Sequence, residues 1–280
     1  MTGPSGHRLR IFTPKPPLTI GGSVREIWAF RELVWQLASR EVRVRYKQTV
    51  LGVVWAVLQP LSMMAIFTLV FGRLARLPSD GLPYPLFYFT ALVPWAYFSG
   101  GLSAASNSLT NEAGLLTKIY FPRAVIPLAA LMAASLDFAI AASLLALMLA
   151  FYGIVPQPVW GLLPVLVGIQ VAFTLGIGLL LAAANVTYRD VRYAIPLLLQ
   201  LWLYATPIVY PLSLIPVRLR PGYVLVNPMA VLMDGYRSVL LRAASPDPLL
   251  LVLGGVMAAV VCVASFAYFR RAEWRFADIV

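Results

Sequence analysis

Asp137 is the one formally charged residue in any of the six long apolar stretches of this chain, roughly 52–72, 84–104, 124–150, 159–186, 194–214 and 248–269. An ionisable side chain in such a stretch marks a transport path, a proton relay or a costly polar contact. No Lys, Arg or His lies in another stretch to complete a relay. Asp137 is therefore expected to bond to Ser or Tyr groups or to stay protonated. Enzymatic chemistry has less to build on. The 11 acids are scattered among connecting segments, whereas acid–base catalysis needs two within reach. A single His7 and a single Cys262 give no metal cluster, disulfide framework or Cys/His pair, and no Gly-x-x-x-x-Gly-Lys-Ser/Thr run is present to cradle phosphates. Cys262 is expected to pack as a small hydrophobe. A lipid-facing transferase, sparse in motifs, stays open as an alternative.

Aromatic side chains are the other resource. Tyr84, Phe87, Tyr88, Phe89, Trp95, Tyr97 and Phe98 crowd the second stretch, Trp202, Tyr204 and Tyr210 the fifth, and Trp55 stands in the first. Interfacial belts and bundle packing account for most such residues. Yet Tyr88, Trp95, Trp202 and Tyr204 fall away from the expected membrane edges, and aromatic faces with polar tips suit a sugar chain that must slide without sticking. Both readings stand at this point. Gly168, Ala172 and Gly176 form a small-xxx-small row, best explained by close helix packing.

The elements that must position these residues follow from composition. Of 280 residues, 60% are hydrophobic and 12% charged, with mean hydropathy +0.81. That is about half the charge of a soluble domain, so the chain is an integral membrane protein. Its 22 basic residues against 11 acidic ones, a net charge of +11, read as basic loops at the cytoplasmic face rather than a nucleic-acid surface. With both termini inside, sixteen Lys and Arg fall on the cytoplasmic side against six outside, which sets an N-in, C-in orientation. Residues 1–22 read as a flexible cytoplasmic tail without the apolar core of a secretory signal. Residues 23–47 form an amphipathic interfacial helix with Val24, Ile27, Trp28, Val34, Trp35 and Ala38 on one face, although Arg31 and Arg45 violate the stripe. Residues 52–269 are the transmembrane domain and 270–280 a cytoplasmic tail. Val224 to Leu241 is too interrupted for a full span and too apolar for water, so a re-entrant pair of short helices is expected.

Four stretches make the chain resemble the type-2 ABC permeases that export lipid-linked polysaccharides, including O-antigen and teichoic acid. They are Val44-Arg45-Tyr46-Lys47-Gln48-Thr49-Val50-Leu51-Gly52 leading to Leu58-Gln59-Pro60, Leu115 to Arg123, Tyr188 to Tyr193 with Pro196, Gln200 and Trp202 beyond, and Asn227-Pro228-Met229 with Tyr236-Arg237. In order and spacing they cover nearly all of 23–270. The resemblance implies an all-α membrane protein with six transmembrane helices, the interfacial helix, a cytoplasmic coupling helix and external gate helices. It implies a homodimer carrying two ATP-binding cassette subunits, with ATP and Mg bound in those partners and no cofactor in this chain. ATPase coupling would fall to Asn111, Glu112, Leu115, Leu116, Lys118, Ile119, Tyr120, Phe121, Arg189, Asp190 and Arg192. Asn227, Pro228, Asp234 and Arg237 would belong to the external gate. Trp55, Tyr88, Trp95, Trp202, Tyr204 and Tyr210 are the candidates to line the channel. The basic cluster Arg40, Arg43, Arg45 and Lys47 would meet either a substrate pyrophosphate or anionic lipid headgroups. A small-molecule exporter of the same superfamily is the nearest alternative.

Overall fold

The computed structural model describes residues 20–47, 54–116, 121–188, 190–273 and 276. Among them every regular element is helical. In chain order these are α1 (Ile20–Ala29), α2 (Arg31–Lys47), α3 (Val54–Phe67) prolonged by π-helical turns over Thr68–Leu74, α4 (Tyr84–Asn111), α5 (Ala113–Leu116) and α6 (Val125–Phe151). A tight turn at Pro158–Leu162 leads into α7 (Leu163–Thr187), followed by α8 (Val191–Ala205). Two short turns, Leu212–Leu214 and Val217–Leu219, precede α9 (Arg220–Val226), α10 (Pro228–Leu241) and α11 (Pro248–Ala272).

This is the all-α membrane architecture expected from the sequence. Val54–Leu74, Val125–Phe151, Pro158–Thr187 and Pro248–Ala272 are each long and apolar enough to cross a bilayer. The 28 residues of α4 have ample length, and protein covers most of its surface. Two boundaries depart from expectation. The interfacial helix begins at Ile20 and breaks at Phe30, so it is two helices rather than one over 23–47. The fifth stretch, expected as a span over 194–214, is helical only to Ala205, a run of 15 residues. Proline at 207 and 211 and the need to meet α10 turn the backbone out of the helix there.

Packing centres on α4, with α6 and α7 against it and α11 behind α7. Glycines permit the closest approaches. A Cβ on Gly176 would sit 2.7 Å from the Cα of Cys262, so α7 and α11 touch almost backbone to backbone. Gly168, of the same small-residue row, faces open space and does not share that role. A buried polar chain ties three helices together. Tyr236 of α10 donates to Gln170 Oε1 of α7 at 2.7 Å, and Gln170 Nε2 donates to the carbonyl of Pro94 in α4 at 2.8 Å.

Arg237 of α10 is fully buried. Its guanidinium donates to the carbonyls of Phe87 (3.1 Å), Pro207 (2.7 Å), Ile208 (2.5 Å) and Tyr210 (3.4 Å), and its Cζ stands 3.5 Å above the Phe87 ring. Three of those carbonyls belong to the non-helical segment after α8. The arginine thereby supplies the donors that a continued helix would have supplied. α9 and α10 meet at 115°, so the stretch expected as a re-entrant pair over 224–241 is two helices sharply bent at Asn227. Asn227 sits at the bend, bonded to Trp202 Nε1 (3.0 Å), Thr206 Oγ1 (3.0 Å) and the carbonyl of Ala205 (3.3 Å).

Replacing Arg237 with Leu leaves those buried acceptors without a donor, a loss of roughly 3 kcal/mol or more at the 1–3 kcal/mol typical of each orphaned group. Arg237→Leu is expected to lower the thermal unfolding midpoint of the detergent-solubilised protein by many degrees, with Arg237→Lys recovering part of it. An unchanged midpoint would contradict the anchoring role.

Candidate functional site

The helix ends beside α1 and α2, expected at the inner face, carry most of the charge and define the first part of the site. α1 and α2 lie against them with two apolar faces, not the single one read from the sequence. Ile27, Phe30, Leu33, Val34 and Leu37 pack into a cluster with Leu109, Phe121, Val125, Ile126, Leu179 and Phe269. Ala38 presses on Ala129 and Ala133 of α6, three small side chains that let the helices close up. Trp28 (69% exposed) and Trp35 (66%) point away from the protein, with Val24 and Val44, as anchors for the lipid interface.

Two ion pairs fasten α2. Arg40 bonds to Glu112 at the end of α4. Arg45 bonds to Asp137 in the middle of α6, Tyr46 donates its hydroxyl to the same carboxylate, and Glu41 lies 3.4 Å from Arg45. The sequence reading of Asp137 is corrected here: it named Tyr groups as partners but no cation, because only the apolar stretches were searched. The cation comes from the interfacial helix. Arg45 violated the amphipathic stripe because it turns inward to Asp137, and that violation was the available signal. Arg31, the other violator, folds over the ring of Trp28 at 5.9 Å. Burial and the Asp137 carboxylate push the Tyr46 hydroxyl up to about 12, so it stays a donor at neutral pH. Burial also pushes the Glu41 carboxyl up despite Arg45 beside it. Arg40 and Arg45 are thus committed to carboxylates. Arg43 donates to the carbonyl of Ser39 at 3.2 Å, which leaves Arg43 and Lys47 as the cluster's cations without an acidic partner among the described residues.

The described part of the expected coupling segment runs from the end of α4 at Asn111 through α5 (Ala113–Leu116), with Asn111 exposed and Leu115 half-buried against the inner cluster. Lys118, Ile119 and Tyr120 lie outside the described residues, as does Arg189. Phe121 is 4% exposed in the subunit's own core, so it does not supply an apolar anchor for another protein. Asp190 and Arg192 are exposed at the start of α8, and Arg192 stacks on Tyr193 at 4.6 Å. Past the apolar part of α11, the described residues Glu273 and Phe276 are held against the bundle. Arg270 bridges Glu26 (3.0 Å) and Glu273 (2.7 Å), and Glu273 accepts from the Arg123 backbone N–H at 2.5 Å. Burial pushes the Glu273 carboxyl up even among these donors. Phe276 is buried against Phe269.

The aromatic candidates separate. Tyr88 and Trp95 are fully or nearly buried in the core, where Tyr88 stacks on Phe67 and Trp95 packs on Phe98. Neither can line a path in this conformation. Trp202 is wedged against Phe98 and Phe173, and Tyr210 is half-buried, whereas Trp55 and Tyr204 are exposed. Sequence reasoning missed a different feature of α4. From Ala96 onward its residues that are not buried are Ala96, Ser99, Gly100, Ser103, Ala104, Asn107, Thr110 and Asn111, a stripe near helical spacing with nothing larger than Asn, in which Ser99, Ser103, Ala104 and Asn107 are half-buried. Searching α4 for small polar residues instead of aromatic ones would have found it.

On the opposite side, Arg242 bridges Asp80 (2.5 Å) and Asp234 (3.3 Å), and Ser213 donates to Asp80 at 2.8 Å. Asp80 adopts a left-handed backbone (φ +53°), which Asp tolerates and which opens the turn toward Arg242. Of the four expected gate residues, Asn227 and Pro228 form the bend, Asp234 joins this ionic bridge, and Arg237 is the buried anchor described above.

Long apolar helices, a sharply bent helix pair and an amphipathic arm clamped to one end define a multi-pass helical membrane protein. The chain belongs to the ABC-2 type transporter family, whose model matches residues 32–241. It is 33% identical over 261 residues to the O-antigen export system permease protein RfbA of Myxococcus xanthus, covering 92% of this chain and 98% of that one. The RfbA permease of Klebsiella pneumoniae is 29% identical over 256 residues, 89% of this chain and 95% of its own length. The polysialic acid transport protein KpsM of Escherichia coli is 23% identical over 247 residues, with coverage of 84% and 91%. The resemblance drawn from the four stretches is upheld.

Arg45→Gln leaves the Asp137 carboxylate without its cation, a loss of about 1 kcal/mol or less for a pair whose side chains are 36% exposed. The single variant is expected to unfold at a lower temperature than the double variant Arg45→Gln/Asp137→Asn. Equal melting of the two would show that the pair carries no energy.

Proposed function

We propose that this chain is the membrane-spanning subunit of an ABC exporter that moves a polysaccharide carried on a polyprenyl diphosphate across the bacterial inner membrane. It is not itself an enzyme: a separate ATP-binding subunit, holding ATP and Mg, drives it. The carrying observation is the family membership together with similarity to O-antigen export system permeases and a polysialic acid transport protein, matched over nearly their full length.

The physical picture supports that reading. α3 buries none of its residues and α8 only Ile195, so each offers a long apolar face to a second copy, and we propose a homodimer. The small polar stripe of α4 is expensive against lipid and suitable against a hydrated sugar chain. We therefore place the path along Ser99, Ser103 and Asn107, with exposed Trp55 and Tyr204 as neighbours, rather than along Tyr88 and Trp95. N-in, C-in topology follows from the sixteen-to-six distribution of basic residues and puts α1, α2 and α5 in the cytoplasm. There the ATPase would bear on the segment from Asn111 to Leu116 and on Asp190. Glu112 passes movement to α2 through Arg40, and α2 passes it to α6 through Arg45 and Asp137. Arg43 and Lys47 remain to meet the diphosphate at the inner headgroup level.

Purified from its native membrane, the tagged chain is expected to bring down an ATP-binding subunit in equal number. In that complex, in a Cys262→Ala background, single cysteines at Ser99, Ser103 and Asn107 are expected to react with a charged, water-borne maleimide, and Leu102→Cys is not. No ATPase would overturn the transporter reading. An unreactive stripe beside a bound ATPase would overturn the path alone.

A further inference from the structure

From Ile195 to Trp202, α8 does not seal against the bundle. Between it, α4 and α7 lies a cavity of about 330 Å³, within the usual range of ligand sites. Leu102 of α4, Ile177 and Leu181 of α7, and Ile195, Leu199 and Trp202 of α8 line it, without a charged residue among them. From Ile195 to Trp202 the helix rises about 10 Å at 1.5 Å per residue, less than the depth of one leaflet of a core about 30 Å thick. Ile195, Leu199 and Trp202 share a helix face with Arg192, one turn nearer the cytoplasmic end (i, i+3, i+7, i+10). Arg192 is the only Lys or Arg of α8 and has no carboxylate partner among the described residues. Exposed Tyr188 and Tyr193 stand at the same level, the mark of a headgroup zone.

We propose that this groove holds one acyl chain of an anionic glycerophospholipid of the inner leaflet, with its phosphate on Arg192. The apolar slot accepts the upper part of an acyl chain, about 10 Å of it, and the single guanidinium matches a single phosphodiester charge better than it matches a diphosphate. The leaflet assignment rests on the orientation proposed above. The lipid would act as a removable wedge behind α8, filling space the protein leaves open. This gives Arg192 a lipid-binding role in place of, or beside, the ATPase coupling expected of it.

The test uses the full chain in vesicles of phosphatidylethanolamine and phosphatidylglycerol, with a phosphatidylglycerol carrying a photoactivatable acyl chain as the probe. Labelling is expected on peptides containing 177–181 and 195–202. Arg192→Gln should lower it about fivefold, the equivalent of about 1 kcal/mol for one basic residue at an anionic surface, and Arg192→Lys should restore it. Leu199→Trp, which fills the groove, should abolish it in protein that still elutes as a single folded species. Several results overturn the proposal: labelling unchanged in Arg192→Gln, equal labelling by a phosphatidylcholine probe, or displacement by polyprenyl diphosphate. Orientation is read separately. Reaction of Arg192→Cys with an impermeant maleimide on intact spheroplasts would overturn the leaflet assignment, whatever the groove labelling.

Discussion

After Ala205 the chain leaves its helix inside a slab that offers no water to satisfy backbone carbonyls, and the guanidinium of Arg237 meets that shortage. It donates to Pro207, Ile208, Tyr210 and Phe87 at once. Only arginine presents so many donors in one rigid plane. Because the acceptors come from the end of α8 and the outer part of α4, while the donor rides on α10, one side chain fixes three elements relative to each other. The bend at Asn227, the polar chain from Tyr236 to Pro94 and the ionic bridge at Arg242 all depend on α10 standing where Arg237 holds it. Arg237, expected at the external gate, is the anchor that permits a short, interrupted fifth helix.

The inner side works by a different principle. There the fastening is ionic and exposed, and each pair taken singly is worth little. Their value lies in placement. Arg40 reaches the end of α4, Arg45 reaches the middle of α6, and Glu41 stands between them, so α2 touches two helices through charge and one of them, α6, again through Ala38. Such contacts can exchange at modest cost, which suits an element that must transmit movement. The contrast with the buried guanidinium is physical: the outer side is locked by hydrogen bonds in a dry setting, the inner side is held by screened charges.

Much of this was legible in the sequence. Apolar length located Val125–Phe151, Pro158–Thr187 and Pro248–Ala272 to within a few residues, and the interruptions at Asn227, Pro228 and Arg237 announced a broken helix pair. Pairing was harder to read. Asp137 seemed to lack a cation because its partner lies 92 residues away on a helix outside the stretches, and long-range contacts leave no local periodicity. The aromatic residues misled for the opposite reason: ring type is visible in a sequence, but the side of α4 that Tyr88 and Trp95 face is set by α3, α6 and α7 around it. The uncovered stripe of small polar residues was present all along at helical spacing, and only the burial of every other side of α4 made it stand out.

The central claim is that this chain passes a lipid-linked polysaccharide through the inner membrane. Depleting it in its native host and fractionating the glycan tests that claim most directly. The account predicts that polymer continues to be made, stays attached to its polyprenyl diphosphate on the cytoplasmic side, and disappears from the cell surface. Unchanged surface glycan, with some small molecule retained in the cell instead, would contradict it.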